Sequence, residues 1–205
     1  MKSTSYRIAR IVFGVIGLLA VLNEIVTLMQ ENVFSPINFF SYFTILSNVF
    51  AGIVLIYLGV IKNTSTASNI VRGAVTLYML MTGIIFAVLL AGIEGIRLTA
   101  VPIDNIILHY LMPIILVLDW IIAPPNIRLS LKALVVWVSF PIVYVVYTVI
   151  RGAHTGWYPY PFFDPAHSSN AQVATTIVLL TIFVVIAAVC LRAYANMRYK
   201  KLTSA

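Results

Sequence analysis

The chain reads as an all-α integral membrane protein, a polytopic bundle of six transmembrane helices, and three observations predict it. Of its 205 residues 61% are hydrophobic and only 9% charged, against roughly 25% charged in an ordinary soluble domain, and the mean hydropathy is +1.02. The apolar residues gather into six runs, each near the ~20 helical residues that cross a hydrocarbon core of ~30 Å. The net charge of +7 comes from short basic clusters between those runs. That pattern orients a membrane protein and gives no support to a nucleic-acid partner. A water-soluble fold is excluded, and so is a membrane barrel, whose strands are about ten residues of alternating polarity.

The runs fall at 8–29, 38–61, 70–93, 105–122, 131–150 and 171–191 of a single domain spanning 1–205. Lys2, Arg7 and Arg10 precede an apolar stretch as they would in a secretory signal, but no small-x-small cleavage site ends it and apolar character resumes after Asn23 and Glu24. It is therefore read as a retained helix. Between the runs lie Ser35 and Pro36, the polar stretch 63–69, the Pro124-Pro125 pair, and the Gly-, Pro- and aromatic-rich stretch 152–165. These are turn and breaker signals. Eleven Lys and Arg residues fall on one side of the membrane: Lys2, Arg7, Arg10, Lys62, Arg72, Arg128, Lys132, Arg192, Arg198, Lys200 and Lys201. Only Arg97 and Arg151 fall on the other. The positive-inside rule then puts both termini in the cytoplasm. Cys190 is the single cysteine, so no disulfide forms within the chain and no Cys/His cluster has zinc spacing. No metal or cofactor is expected. Gly14, Gly17, Ala51, Gly52 and Gly59 suit close helix packing within or between chains, which leaves the oligomeric state open.

Orientation converts position into depth at ~1.5 Å per residue. Asn23 and Glu24 near the end of the first span, Thr44 early in the second and His109 early in the fourth then share a depth within ~10 Å of the outer boundary. Asn38, Ser41, Thr44 and Asn48 recur at three- and four-residue steps, one polar stripe on one helix face. On the fourth span Asn105, His109 and Pro113 do the same, and Pro113 cannot donate to the His109 carbonyl, so the helix is expected to bend there. Ionisable groups inside a span are costly in lipid and mark function by default. A hydroxyl, an imidazole and a carboxylate at one depth suit acyl transfer: Thr44 as nucleophile, His109 as base, Asn48 as oxyanion donor and Glu24 orienting the imidazole. The plainer alternatives are a threonine bonded to its own helix, a Glu24 tied structurally to Arg151 or His109, and Asp119 with Trp120 as interfacial anchors.

After the fifth span, Arg151, His154, Trp157, Tyr158, Tyr160 and Phe162 lie in a proline-stiffened segment. It reads either as an aromatic belt at the headgroups or as a lid over the bundle's outer end, with Arg151 meeting a lipid carboxylate or phosphate.

Three segments carry a resemblance: Phe39-Phe40-Ser41-Tyr42-Phe43-Thr44, Leu108-His109-Tyr110-Leu111-Met112-Pro113, and the ten residues from Thr155-Gly156-Trp157 to Phe162-Phe163-Asp164. In these the chain resembles the androgen-induced-gene and androgen-dependent TFPI-regulating proteins of animals and their bacterial six-helix relatives. The resemblance implies a threonine hydrolase of fatty acid esters of hydroxy fatty acids, with Thr44 as nucleophile and His109 as its partner. It also implies membrane lipid and a fatty acyl ester as partners, and a bacterial inner (plasma) membrane as the location. The rival reading is a non-catalytic lipid-binding or transport protein, for which a site near the midplane between paired broken helices is expected. A scaffold without ligand is a third.

Overall fold

A computed structural model describes residues 3–61, 64–93 and 98–204; Lys2, Lys62 and Arg97 of the charge count lie outside the described residues. Among those described, six helices are long and apolar enough to cross a membrane. The chain divides into two compact units, Met1–Ile127 and Arg128–Ala205.

The first unit opens with α1, Thr4–Gln30, whose first turn is closed by the Ser3 side chain accepting from the Tyr6 N–H. After Ser35 comes a single turn, α2, Pro36–Phe39, with proline at its first position where no N–H is needed. The span expected from residue 38 does not continue. The Ser41 hydroxyl donates to the Ile37 carbonyl at 2.6 Å, while the Ser41 and Tyr42 N–H groups reach back only three residues, to Asn38 and Phe39. A hydroxyl that competes for a helical carbonyl weakens the helix there. The helix restarts as α3, Phe43–Val60. The single polar stripe from Asn38 to Asn48 is therefore corrected: Asn38 and Ser41 lie before the break, and Thr44 stands in the first turn of a new helix.

α3 packs closely on α1. A Cβ at Gly14 would lie 2.7 Å from the Gly52 carbonyl oxygen and one at Gly59 would lie 2.8 Å from that of Arg7, so small residues here bring two backbones together. Arg7 also donates from Nε to the Gly59 carbonyl at 3.0 Å and from its second guanidinium nitrogen to that of Val60. It thus neutralises carbonyls left over at the carboxyl end of α3.

α4, Thr66–Ile85, starts at a Ser65 cap and widens at its far end into a π-helical turn, Phe86–Leu90. The fourth span consists of α5, Pro102–Ile106, a second π turn, Ile107–Leu111, and α6, Met112–Ile122. The expected bend at Pro113 takes this form, in which the Met112 N–H bonds the Ile107 carbonyl five residues back. The wider turn is the local response to a residue that has no N–H to give.

The second unit holds α7, Leu131–Thr155, and α8, Asn170–Thr203. α7 runs past residue 150 and stops at Gly156, whose φ of +68° is the left-handed conformation that glycine adopts without strain. α8 begins at a reciprocal Ser169/Gln172 capping box. Asn196 clasps Leu129, accepting from its N–H at 2.8 Å and donating to its carbonyl at 3.0 Å.

Candidate functional site

The two π turns meet around one imidazole. Phe86, the first residue of one turn, stacks on His109 of the other with ring centroids 4.1 Å apart and planes 22° from parallel. π turns recur at functional sites, and here one supplies a ring and the other the flat wall it rests on. His109 Nε2 lies 3.3 Å from Thr44 Oγ1, and Nδ1 lies 3.3 Å from the Asn105 carbonyl oxygen. A carbonyl only accepts, so it assigns the hydrogen to Nδ1 and turns the Nε2 lone pair toward the threonine hydroxyl. Both side chains are buried, Thr44 8% and His109 4% exposed.

Thr44 stands in the first turn of α3, where the helix dipole places partial positive charge. Its carbonyl accepts from Ser47 Oγ at 3.1 Å and from Asn48 Nδ2 at 2.9 Å. The second hydrogen of that same amide goes to the Leu108 carbonyl at 3.1 Å. The geometry of the π turn explains why. Met112 bonds Ile107, and Pro113, next along, has no N–H, so the Leu108 carbonyl loses both possible helical donors. Asn48 replaces them. An amide has two hydrogens and both are committed, so Asn48 is not the oxyanion donor expected of it. It is the clamp that fixes the helix of the hydroxyl to the helix of the imidazole, one residue before His109.

Glu24 and Asn23 are corrected as well. The Glu24 oxygens accept from the Ala100 and Val101 N–H groups at 2.7 and 2.9 Å, and Asn23 Nδ2 donates to Asp104 Oδ2 at 2.8 Å. α5 is thus capped from α1 by a carboxylate at its amino end, which suits the dipole. Glu24 steadies the start of the helix that carries His109, while a backbone carbonyl takes the imidazole-orienting position assigned to it.

No protein-family model, curated protein or solved structure matches the chain. The site accordingly rests on its own geometry.

The residues read as a lid all belong to the second unit. Arg151 and His154 sit in the last turns of α7 and not in the loop. The Arg151 guanidinium lies 4.4 Å from the Trp157 ring centroid, and the Tyr158 ring covers Gly152 so closely that a Cβ there would overlap it. Tyr160 and Phe162 stack at 5.2 Å with planes 6° apart. Asp164 accepts from the Ala166 N–H and from His167 Nδ1, each at 2.8 Å. These bonds, the backbone one foremost, hold its carboxyl below the usual carboxylate range.

Three features went unseen in the sequence. Ser47 and Thr82 share a hydroxyl hydrogen bond of 2.9 Å behind the dyad, and Phe86 reads as one more apolar residue in its run. The largest is an ionic cluster. Asp119 receives Arg10 Nε at 2.6 Å, a second Arg10 nitrogen at 3.1 Å, Arg72 Nε at 2.7 Å and the Tyr6 hydroxyl at 2.6 Å. Arg72 also donates to the Asp119 carbonyl and covers the Trp120 ring at 5.3 Å. Asp119 and Trp120 are buried, which overturns their reading as interfacial anchors. The available signal was that Arg10, Arg72 and Asp119 each lie inside an expected span, where a charge needs a partner.

Proposed function

We propose that the chain is an intramembrane hydrolase of lipid esters, of the kind formed between a fatty acid and a hydroxy fatty acid. The observation that supports this reading is the buried hydroxyl and imidazole 3.3 Å apart, with the far ring nitrogen on a backbone carbonyl. In the proposed reaction Thr44 Oγ attacks the ester carbonyl carbon as its proton passes to His109 Nε2. The tetrahedral intermediate expels the alkoxide, which takes that proton and leaves as the hydroxy fatty acid. Water, deprotonated at the same nitrogen, then cleaves the acyl-threonine to release the free fatty acid. The positive end of α3 favours the oxyanion. No cofactor enters. The excess of Lys and Arg, eleven against two, supports cytoplasmic termini and hence a dyad in the outer half of a bacterial inner membrane.

The test is hydrolysis of fatty acid esters of hydroxy fatty acids by the purified protein in lipid nanodiscs. Thr44→Ala and His109→Ala are each expected to abolish turnover with the protein still folded, and a fluorophosphonate is expected to label the wild type but not Thr44→Ala. Full turnover by Thr44→Ala overturns the assignment. Headgroup or fatty acid binding with no turnover in the wild type favours a lipid-binding protein instead.

A further inference from the structure

A cavity of about 320 Å³ begins at His109 and runs between α4 and α6. On one wall His109, Pro113 and Val117 follow each other at four-residue steps, so they form one row along the helix. On the other, Gly83 has no side chain to fill the space, and a Cβ there would stand 2.9 Å from Pro113 Cβ. From His109 to Val117 the row is about 12 Å long at 1.5 Å per residue. A volume of 320 Å³ over that length is a mean cross-section of about 27 Å², far below the roughly 80 Å² of a helix 10 Å across. A whole helix does not fit inside it. The volume is at the lower end of small-ligand sites, about 300 to 1,000 Å³.

The open side of the groove decides what enters it. Ile84, Tyr110, Ile114 and Leu118 line the cavity and are 40%, 42%, 55% and 44% exposed. All four belong to helices of membrane-crossing length and hydropathy, so this apolar rim suits contact with hydrocarbon. Apart from His109 and the Tyr110 hydroxyl the lining carries no polar side chain, and a polar ligand would leave its hydrogen bonds unmade. A slender, apolar, flexible occupant fits, with one end beside His109.

We propose that this groove binds one acyl chain, entering sideways from the bilayer with its carboxyl or ester end at His109, and that Val117 sets the length it accepts. At an advance of about 1.25 Å per carbon–carbon bond of ~1.5 Å, 12 Å holds roughly ten bonds before Val117 closes the row. The inference rests on the hydrolase reading for its kinetic arm only, since chain binding is measured without turnover.

The experiment uses the full chain in nanodiscs with two readouts. In the first, butanoyl and dodecanoyl esters of the same alcohol are compared. Val117→Phe is expected to lower kcat/KM at least about tenfold for the dodecanoyl ester, the scale on which a filled apolar pocket discriminates, and to leave the butanoyl ester within about twofold. Val117→Ala, which opens the groove, is expected to shift preference toward longer chains and guards against a Phe variant that fails to fold. In the second readout a diazirine-bearing fatty acid is photolysed in place. Wild type is expected to crosslink at Ile114 or Val117, and Val117→Phe to lose that crosslink. Ester hydrolysis with an unchanged chain-length profile in both variants overturns the groove and leaves the hydrolase intact. Crosslinking at the groove with no hydrolysis of any ester upholds the groove and defeats the hydrolase. Crosslinks confined to other helices overturn the proposal.

Discussion

Replacing Asp119 isolates a buried charge whose worth can be worked out from its neighbours. Its carboxylate accepts four hydrogen bonds, from Tyr6, twice from Arg10 and from Arg72, and both guanidinium groups are buried, 6% and 2% exposed for the whole residues. Asp119→Leu keeps a similar volume but leaves two like charges facing each other in a poorly hydrated space. Removing one partner of a buried ion pair costs about 3 to 5 kcal/mol, which is roughly a hundredfold to several thousandfold in the unfolding equilibrium. An exposed pair would cost no more than about 1 kcal/mol. Unfolding in mixed micelles of rising SDS fraction measures the difference. The same principle predicts a recovery: the triple variant Arg10→Leu/Arg72→Met/Asp119→Leu removes all three charges, and with them the desolvation they suffer, so it is expected to regain most of the loss. Asp119 is ten residues along the fourth span from His109, about 15 Å, so the folded fraction of Asp119→Leu is expected to keep its turnover. An Asp119→Leu protein that unfolds within about 1 kcal/mol of the wild type, the range of a solvated pair, or a triple variant less stable than the single one, would refute the buried, mutually dependent charges.

Two further outcomes follow from close contacts. Asn48→Leu strips the Leu108 carbonyl of its donor, at about 1 to 3 kcal/mol for a buried acceptor left unpaired, and loosens Thr44 against His109. Steady-state kinetics should then show kcat down by about 10- to 100-fold with KM nearly unchanged. Gly14→Val drives a side chain against the Gly52 carbonyl, 2.7 Å from the first added carbon, whereas Gly17→Ala meets only the flexible end of Met112. Micelle unfolding is expected to show a loss of about 1 to 3 kcal/mol for the former and a smaller one for the latter.

The spans were legible because a helix in hydrocarbon must satisfy its own backbone, which makes length and hydropathy sufficient evidence. Boundaries were not, and the reasons are local. Ser41 scans as one more polar position on a helical stripe, yet its hydroxyl takes the Ile37 carbonyl and the helix restarts two residues later. The nearness of Thr44 and His109 could be anticipated in part, because each lies a few residues inside an expected span entered from the same side, which puts them at one depth. The roles of Glu24 and Asn48 depend on partners 76 and 60 residues away, and no spacing within one helix reports those. Arg10 and Asp119 are separated by 109 residues. Each falls within the bounds of an expected span, but pairing them required the order in which the helices pack.

The widened turn that carries the imidazole and the clamp that holds it both follow from one proline. Pro113 withholds an N–H, the preceding turn widens, and the Leu108 carbonyl is left facing α3 without a helical donor. Had α3 carried leucine at 48, that carbonyl would be buried unsatisfied, and the cheapest relief would be to move the two helices apart, taking Thr44 out of reach of Nε2. With asparagine there, the same defect becomes the bond that sets the spacing of the dyad. The Gly83 contact fixes the opposite side: α4 rests on the Pro113 ring itself, so the residue that distorts the span is also the one it is packed by. Pro113→Ala is then expected to do more than straighten a helix. It restores an N–H for the turn, allows the Leu108 carbonyl to bond the Met112 N–H, and frees Asn48 from its second acceptor, so turnover should fall while stability holds or rises. A Pro113→Ala protein that is less stable yet fully active would mean that the widened turn supports the fold and has no part in placing His109.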